Sequence, residues 1–302
     1  MARVFHHSNI WENLMMNTPN FLSIQSWKQS EFWLMAIAAG LMSIHLTLIY
    51  HRNNVSFLAL SIMFWLSASS LVWEKIQELA KQTSSPWATL LGMLIIAIVL
   101  LKSATRPTSN WLGISPFISA LGWTLIASGF SGFREYWREL TILFFLGVPK
   151  VFIWPLVDIS GITAKFAALI LWYAGANVSL DKFNVMLPEG GVSVNMGCSG
   201  LEGMFYLLGL SVLFLVMFPL EVLWKKIIIP VVAVLISFVV NGFRIVLLAV
   251  LANAQKPEAV DYWHVGEGSL IFSMISVALF GCFCWFMIKQ DTPPTNQDTL
   301  SP

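Results

Sequence analysis

Charged residues are scarce in this sequence. Only 11% of the 302 residues are charged, against about 25% in a typical soluble domain, while 57% are hydrophobic and the mean hydropathy is +0.74. Several apolar runs are long enough to cross a bilayer, for which about 20 residues suffice. The composition therefore predicts a polytopic membrane protein. The net charge is only +1 and there is no basic stripe or arm, so nothing points to nucleic acid as a partner.

Cysteine is also rare, with three residues that form no spaced framework. Cys282 and Cys284 lie two apart in an apolar segment, so they point to different faces of a helix and cannot easily pair. We interpret both as packing or lipid-facing residues. No metal-ligand cluster surrounds the cysteines, and we expect no metal or other cofactor.

A signal-peptide pattern is also lacking. The first 20 residues are polar and broken rather than basic and then apolar, so we expect the first true span to direct insertion. We predict a single integral membrane domain over 1–302, with a polar N-terminal tail over 1–30. The Pro-rich tail over 290–302 is predicted to be disordered.

The apolar pattern predicts an all-α membrane bundle of about eight or nine transmembrane helices. The predicted segments are 32–50, 55–73, 86–102, 111–130, 138–157, 161–176, 198–218, 225–252 and 267–288. The fifth contains Pro149, Lys150 and Pro155, so we expect a broken or re-entrant piece there.

Loop charge predicts the orientation. The connections 51–54, 102–110 and 219–226 and the C-terminal tail are richer in lysine and arginine than 177–197 and 253–267, so the first set is expected to be cytoplasmic and the second external. The N-terminus is then outside if all nine segments cross, and inside if one does not.

The connection before Cys198 has a pattern of its own. Apolar residues alternate along 178–187 and 192–196, and the turn sequence PEGG lies between them. We predict either a small external β-hairpin or an irregular loop.

Three polar residues stand out in the last third of the chain. Cys198 opens the seventh segment, Arg244 lies within the eighth and His264 precedes the ninth. The predicted topology lets all three meet near the external face. Arginine inside a membrane helix costs about 2.5–3.5 kcal/mol on insertion scales, which favours a functional role. Each residue also has a structural interpretation. Cys198 would be a small buried side chain, Arg244 a counter-ion of Glu202, and His264 an ordinary histidine at the membrane interface.

Chemistry assigns a catalytic role to each. Amides and the dipole at a helix start favour a thiolate at Cys198, and the same amides are suited to an oxyanion. His264 would act as general base and then as acid, while Arg244 would stabilise the thiolate, the oxyanion or a substrate carbonyl.

Four further residues are supporting candidates. Ser199 and Gly200 flank the cysteine, where glycine lets a substrate backbone approach closely. Asn241 shares a helix face with Arg244 and is expected to orient its guanidinium. Glu202 is expected to fix Arg244 or His264, or to bind a basic substrate.

These residues carry a family resemblance. The order GCSGL at Cys198, NGFRI at Asn241 and Arg244, and YWHVGEG at His264 resembles the exosortase and archaeosortase family, most of all the cyanobacterial exosortases. The resemblance covers about 140–290, which is the expected catalytic core. Glu202 departs from the family pattern, in which many members carry a basic residue shortly after the cysteine.

The resemblance implies a membrane cysteine transpeptidase or protease of the bacterial inner membrane, with its active site toward the periplasmic face. It would cleave a C-terminal sorting tail (PEP-CTERM-like) from membrane-anchored exported proteins and transfer them to a surface or extracellular acceptor. Cys198 would be the nucleophile, with Arg244 and His264 completing the catalytic set.

Three other functions are compatible with parts of the pattern. A thiol hydrolase would use water as acceptor. A transporter would place Arg244 in a substrate path, but it predicts inverted repeats, and no convincing repeat is found. A structural scaffold leaves the polar residues unexplained.

Overall fold

A computed structural model describes residues 30–75, 84–105 and 107–289 of the chain. The helices, numbered in chain order, are α1 Ser30–Tyr50, α2 Val55–Glu74, α3 Pro86–Ala104, α4 Ser109–Ser128, α5 Gly132–Glu135, α6 Trp137–Ile153, α7 Ser160–Tyr173, α8 Leu201–Met217, α9 Leu223–Asn253, α10 Pro257–His264 and α11 Gly268–Lys289. The strands are β1 Ser179–Asp181, β2 Asn184–Leu187 and β3 Gly190–Ser193. The predicted tails 1–30 (apart from Ser30) and 290–302 lie outside the described residues.

The predicted all-α membrane bundle is confirmed. Seven helices in the described part of the chain are long and apolar enough to cross a membrane, and α7 and α8 are shorter apolar helices. Each of the nine predicted segments is helical. Several starts are set by side-chain caps: Asn54, Ser85 and Thr108 each accept a hydrogen bond from a backbone amide in the first turn of α2, α3 and α4.

The packing defines two ends of the bundle. At one end, Lys75 after α2 forms a 2.8 Å ion pair with Glu139 in the first turn of α6. Lys225 near the start of α9 donates to the Met287 carbonyl near the end of α11, at 3.1 Å. We call this the Glu139 end.

At the opposite end, Phe57 near the start of α2 stacks on Tyr206 in the second turn of α8, with ring centroids 6.0 Å apart. Arg52, after α1, donates a hydrogen bond to the Pro107 carbonyl just before α4. Cys198 precedes α8 here, so we call this the Cys198 end.

Helix α7 does not run between the two ends. Thr163 in its first turn donates to the Ser199 carbonyl at 2.7 Å, so α7 starts at the Cys198 end. It continues beside the last turns of α9, where Leu171 packs in one cluster with Leu248 and Ala249. Among the described residues, eight helices therefore run from end to end, namely α1, α2, α3, α4, α6, α8, α9 and α11.

This placement corrects the predicted loop assignment. The prediction put 51–54 and 102–110 on the side opposite Cys198, but both connections lie at the Cys198 end. The prediction changed sides at every apolar segment, and α7 breaks that alternation because it runs beside the last turns of α9, in the same direction, and does not cross back to the Glu139 end. The start of α1 consequently lies at the Glu139 end, where the Leu34 carbonyl accepts a 2.8 Å hydrogen bond from Trp123 Nε1 near the end of α4.

The sequence predicted a break in the fifth apolar segment, and the helix there is interrupted near Pro155, not at Pro149. Helix α6 continues through Pro149 and Lys150 to Ile153. Pro149 lies inside the helix, where its ring removes the amide that would bond to the Phe145 carbonyl, yet the helix continues for four more residues. The regular helix ends before Pro155, in a 3₁₀ turn over Trp154–Leu156.

The connection before Cys198 forms a three-stranded antiparallel sheet in the order β1-β2-β3. The predicted PEGG turn joins β2 to β3, with Leu187 opposite Gly190. The extra strand arises from a tight turn between β1 and β2, where Lys182 has a φ of +52°. The predicted β-hairpin is thus confirmed as β2 and β3, and the structure adds a third strand, β1, that was not predicted.

The sheet is fixed to the end of α9. The Glu189 amide donates to Asn253 Oδ1 at 2.9 Å, and the Gln255 side chain donates to the Glu189 carbonyl. A Cβ on Gly190 would collide with the Ala252 carbonyl, so this contact requires glycine. The sheet and α7 together form a layer over the Cys198 end.

Close glycine contacts between helices give a test of the packing. A Cβ on Gly147 in α6 would lie 2.6 Å from the Gly113 Cα in α4, whereas a Cβ on Gly281 in α11 would meet nothing within 4 Å. We expect Gly147→Ala to destabilise the fold by about 1–3 kcal/mol through overpacking. Gly281→Ala gains the same helix propensity without the clash and should be neutral or slightly stabilising. Thermal unfolding of both purified variants checks this, and equal melting temperatures would contradict the packing.

Candidate active site

Cys198 lies in a turn before α8 rather than at its first residue. Its amide donates to Asn195, with the side-chain Oδ1 and the backbone carbonyl both at 3.0 Å. Helix α8 begins at Leu201 after Gly200. The Cys198 amide therefore already has acceptors, so it is not free to donate to an oxyanion. An oxyanion at this site would need other donors than this amide.

Gly200 gives the turn its shape. Its φ of +89° is a left-handed conformation that favours glycine, and a Cβ there would lie 2.6 Å from Asn241 Nδ2. Asn241 donates from this position to the Cys198 carbonyl at 2.9 Å. Its predicted contact was the Arg244 guanidinium; the structure has it hold the cysteine backbone instead.

Ser199, which follows Cys198, makes further hydrogen bonds that hold the turn. The Ser199 carbonyl accepts from Thr163 in α7, and its hydroxyl donates to the Met196 carbonyl at 2.8 Å. Ser199 and Thr163 are both fully buried. Because side chains from α7, α9 and the turn itself hold the backbone, the sulfur of Cys198 has a defined position.

The thiol faces a histidine 66 residues later in the chain. Cys198 Sγ lies 2.8 Å from Nε2 of His264, the last residue of α10. Helix α10 is a short segment that returns from the end of α9 toward the bundle. A Cβ on Gly268 would lie 2.7 Å from the Tyr262 ring, so glycine there lets α11 start close against α10.

Arg244 contacts the histidine backbone. Its Nη2 donates to the His264 carbonyl at 2.5 Å, while its Nε is buried without a hydrogen-bond partner among the described residues. Arg244 lies nine residues before the end of α9, or about 14 Å at 1.5 Å per residue. The structure thus brings together Cys198, Arg244 and His264 as the sequence predicted.

Glu202 contacts a different cation from those predicted. It pairs with Lys150 of α6 and accepts a 2.6 Å hydrogen bond from the Tyr206 hydroxyl. Glu202 therefore contacts Lys150 and Tyr206, and the contacts predicted for it with Arg244 or His264 are wrong. The Lys150 ammonium also lies over the rings of Phe57, Trp154 and Tyr206, at 5.1–6.0 Å from their centroids.

A comparison with protein families decides the classification. The profile described as transmembrane exosortase matches residues 52–281, which is most of the chain. The chain belongs to the transmembrane exosortase family. Comparisons with curated proteins and with solved structures gave no match.

The two other cysteines of this exosortase lie away from the site. Cys282 is exposed and Cys284 is buried, both unpaired in α11. Cys284 packs with Leu207 and Phe280 in a separate core cluster. The described part of the chain contains no group of three or more histidine, cysteine or acidic residues that could hold a metal.

Three contributors to the exosortase site were missed from the sequence. Asn195, three residues before Cys198, has the spacing at which an asparagine side chain caps a turn by accepting from the third amide after it, and could have been found from that signal. Thr163 carries no such signal. Lys150 was considered only as an interruption of a helix, because nothing in the sequence pairs it with Glu202.

The surroundings of Cys198 favour the protonated thiol over the thiolate before a substrate is attacked. Burial raises the pKa of Cys198, and the positive charge of Arg244 opposes this by a smaller amount. The helix start was predicted to favour a thiolate, and burial of the sulfur acts against that effect. His264 would remove the proton during attack rather than before it.

The alkylation of Cys198 tests this pKa. In a Cys282→Ala, Cys284→Ala background, we expect its rate of reaction with iodoacetamide to keep rising with pH above the usual thiol value of about 8.5, since the thiolate is the nucleophile. Arg244→Gln removes a charge that favours the thiolate, so it should move the profile to still higher pH. A rate that is already constant from pH 6 would indicate a preformed ion pair with His264 and contradict this expectation. Mass spectrometry measures the alkylated fraction.

Proposed function

We propose that the chain is a cysteine-dependent protein-sorting enzyme that cleaves the C-terminal sorting tail (PEP-CTERM-like) of exported proteins and transfers them to a surface or extracellular acceptor. The observation that carries the proposal is the 2.8 Å contact between Cys198 Sγ and His264 Nε2. A thiol within hydrogen-bond reach of an imidazole is the arrangement that nucleophilic catalysis by cysteine requires. Membership of the exosortase family supports a sorting-related membrane enzyme.

The first half-reaction follows from this pair. His264 Nε2 accepts the thiol proton while the sulfur attacks the carbonyl carbon of the scissile peptide bond, which gives a tetrahedral oxyanion. The C–N bond then breaks, and the imidazolium returns its proton to the leaving amine. The products are a thioester on Cys198 and the released tail.

The second half-reaction consumes the thioester. An acceptor amine or hydroxyl attacks the thioester carbonyl, His264 takes its proton, and the Cys198 thiolate leaves and is reprotonated. Water in place of the acceptor would give hydrolysis by the same steps. Transfer and hydrolysis thus differ only in the second nucleophile.

Arg244 contributes in two ways. Its Nη2 holds the backbone of His264, which fixes the imidazole against the sulfur. Its Nε–H has no partner within the part of the chain that the structure describes, and its positive charge acts on Cys198, so this N–H is a suitable donor to the developing oxyanion. Asn241, Ser199 and Gly200 keep the turn in place.

The location of the site fits a membrane-anchored substrate. A protein held by its own transmembrane helix diffuses in two dimensions and presents its cleavage site at a fixed depth. We propose that the protein resides in the bacterial inner membrane and that the Cys198 end faces the periplasm. Lys225, Lys226 and Lys289 would then lie on the cytoplasmic side, whereas Arg52 and Lys102 would lie on the periplasmic side, so this orientation rests on the proposed function and not on loop charge. The cyanobacterial subgroup is part of this proposal.

Co-expression with a tailed exported protein tests the function. We expect the substrate to appear in a shortened form and a thioester adduct to be trapped on Cys198, identified by mass spectrometry of the digested enzyme. An adduct that forms products with an added amine or a surface glycan supports transfer, and one that releases only free acid indicates thiol hydrolysis. An unshortened substrate without adduct would overturn the proposal.

A further inference from the structure

The sheet before Cys198 has an unpaired edge along β3. Strand β2 pairs with one side of β3, and no strand of the described part of the chain pairs with the other. At this edge Ser193 is exposed and Gly191 is half-buried. An unpaired strand edge presents backbone N–H and C=O groups to which another extended chain can bond. Strand β3 is therefore a candidate docking edge for a peptide.

The register of the sheet shows which backbone groups face outward. Hydrogen-bonded and non-hydrogen-bonded pairs alternate along an antiparallel ladder. The Val194 amide donates to the Phe183 carbonyl at 2.9 Å, so Val194 bonds toward β2. Ser193 and Gly191 occupy the alternate positions, and their amides and carbonyls point away from β2. Among the described residues, neither backbone has another hydrogen-bond partner.

This edge leads to the thiol–imidazole pair. Strand β3 begins beside Asn253 at the end of α9, and the chain reaches Cys198 five residues after Ser193. Helix α10 also begins just after the end of α9, and its last residue, His264, meets the Cys198 sulfur at 2.8 Å. Strand β3 and α10 therefore run side by side from the end of α9 to the reacting atoms.

The neighbours of the sheet indicate which side the unpaired edge faces. A Cβ on Gly161 in α7 would lie 3.5 Å from the ring of Phe183, which is in the turn between β1 and β2. On the other side, Val260 and Trp263 of α10 pack in the same apolar cluster as Val192 of β3. Since α7 lies on the side of β1 and β2, the unpaired edge of β3 faces α10. A peptide on that edge would lie between β3 and α10 and end at the sulfur.

We propose that the extended segment of the sorting tail, just before its transmembrane helix, docks on β3 as an added strand. This inference rests on the proposed function. Ser193 N–H donates to a carbonyl of the substrate, and the Ser193 carbonyl accepts from the amide two residues later in the substrate. Gly191 bonds in the same way one step earlier along the peptide.

The path of the substrate chain sets the direction of the added strand. Asn241 contacts the Cys198 carbonyl, and α9 continues for twelve residues beyond it to Asn253, or about 18 Å at 1.5 Å per residue. Strand β3 thus descends from the outer end of α9 toward the bundle. A tailed substrate also descends, from its exported domain to its membrane anchor. The substrate strand is therefore parallel to β3, and this docking delivers the scissile bond to Cys198.

Proline substitutions at the two edges of the sheet test the docking. Ser193→Pro removes the outward amide of β3 and keeps the bonds to β2, since proline is tolerated on an edge strand. We expect KM for a purified tailed exported protein to rise about three- to tenfold, as for the loss of one hydrogen bond, with kcat near the wild-type value. Leu180→Pro is the matched control, because it removes the outward amide at the opposite edge, on β1, and should leave KM unchanged. An unchanged KM in Ser193→Pro, or an equal rise in both variants, would overturn the docking.

A backbone scan of the substrate needs no enzyme variant. Synthetic peptides that contain the cleavage site and transmembrane helix of the same protein each carry one N-methyl group, at successive residues before the helix. A strand bonds to one neighbour through alternate residues, so KM of the wild-type enzyme should rise at every second position. An equal effect at all positions, or none, would contradict the docking, and this scan decides if Ser193→Pro does not fold. A wild-type enzyme that cleaves neither the protein nor the unmethylated peptide would instead contradict the proposed function, and the docking with it.

Discussion

Replacement of Cys198 by alanine or serine is expected to leave a tailed substrate entirely uncut, a fall of about 10⁴-fold or more in the rate of cleavage. The alanine variant has no nucleophile. The serine hydroxyl is far less acidic than a thiol, and His264 is placed to activate sulfur at 2.8 Å. Immunoblots of the co-expressed substrate, with the membrane level of each variant measured in parallel, check the result.

The remaining cysteines provide matched controls. Cys282→Ala and Cys284→Ala each remove a thiol from α11 and should process the substrate normally, since neither residue contacts the site. Processing by Cys198→Ala would show that the chemistry does not pass through this sulfur. Loss of processing in Cys282→Ala, an exposed position, would show that the assay responds to thiols in general.

Much of the fold follows from the sequence because membrane helices must be long and apolar. Each of the nine segments is set by a run of apolar residues that a bilayer or a helix interface accepts, and polar caps such as Asn54 and Ser85 fix where helices begin. The path of α7 could not be predicted this way. Its small residues Ala164 and Ala167 pack on α9, and an apolar segment that packs in this way has the same composition as one that crosses.

The central residues of the site were predictable because polar groups at helix ends in a membrane protein are few. Cys198 and His264 stand out on that ground, and Arg244 stands out as a cation within a span. The contacts that hold them were not predictable. Asn241 reaches the Cys198 carbonyl only because Gly200 leaves room beside it, which is a property of the tertiary packing.

The pairing of Glu202 illustrates the same limit. Sequence distance places it one turn after Cys198, which favours contacts with Arg244 or His264. The structure pairs it with Lys150, which is 52 residues away and comes from α6. Helix α6 runs antiparallel to α8, with Arg138 in its first turn bonded to the Val216 carbonyl at the far end of α8. Only that arrangement, which no local pattern specifies, brings the lysine to the Cys198 end.

Replacement of His264 by glutamine is expected to lower the rate of cleavage by about 10²–10⁴-fold, the usual contribution of general acid and base catalysis. Because burial raises the pKa of the Cys198 thiol, the reaction at neutral pH depends on a base that removes its proton. Glutamine keeps a polar side chain near the sulfur but cannot accept and return that proton. The residual rate should therefore rise with pH, as hydroxide replaces the missing base and more thiolate forms.

His51→Gln is the matched control for this variant. His51 is an exposed histidine at the same end of the bundle, so its replacement should leave both the rate and its pH dependence unchanged. Initial rates of cleavage measured from pH 6 to 10 on purified enzyme separate the cases. A His264→Gln enzyme with wild-type rate and pH profile would remove the histidine from the reaction, and the 2.8 Å contact would then be only a packing contact. A uniform loss at every pH would assign His264 to the shape of the site, since a purely structural defect does not respond to hydroxide.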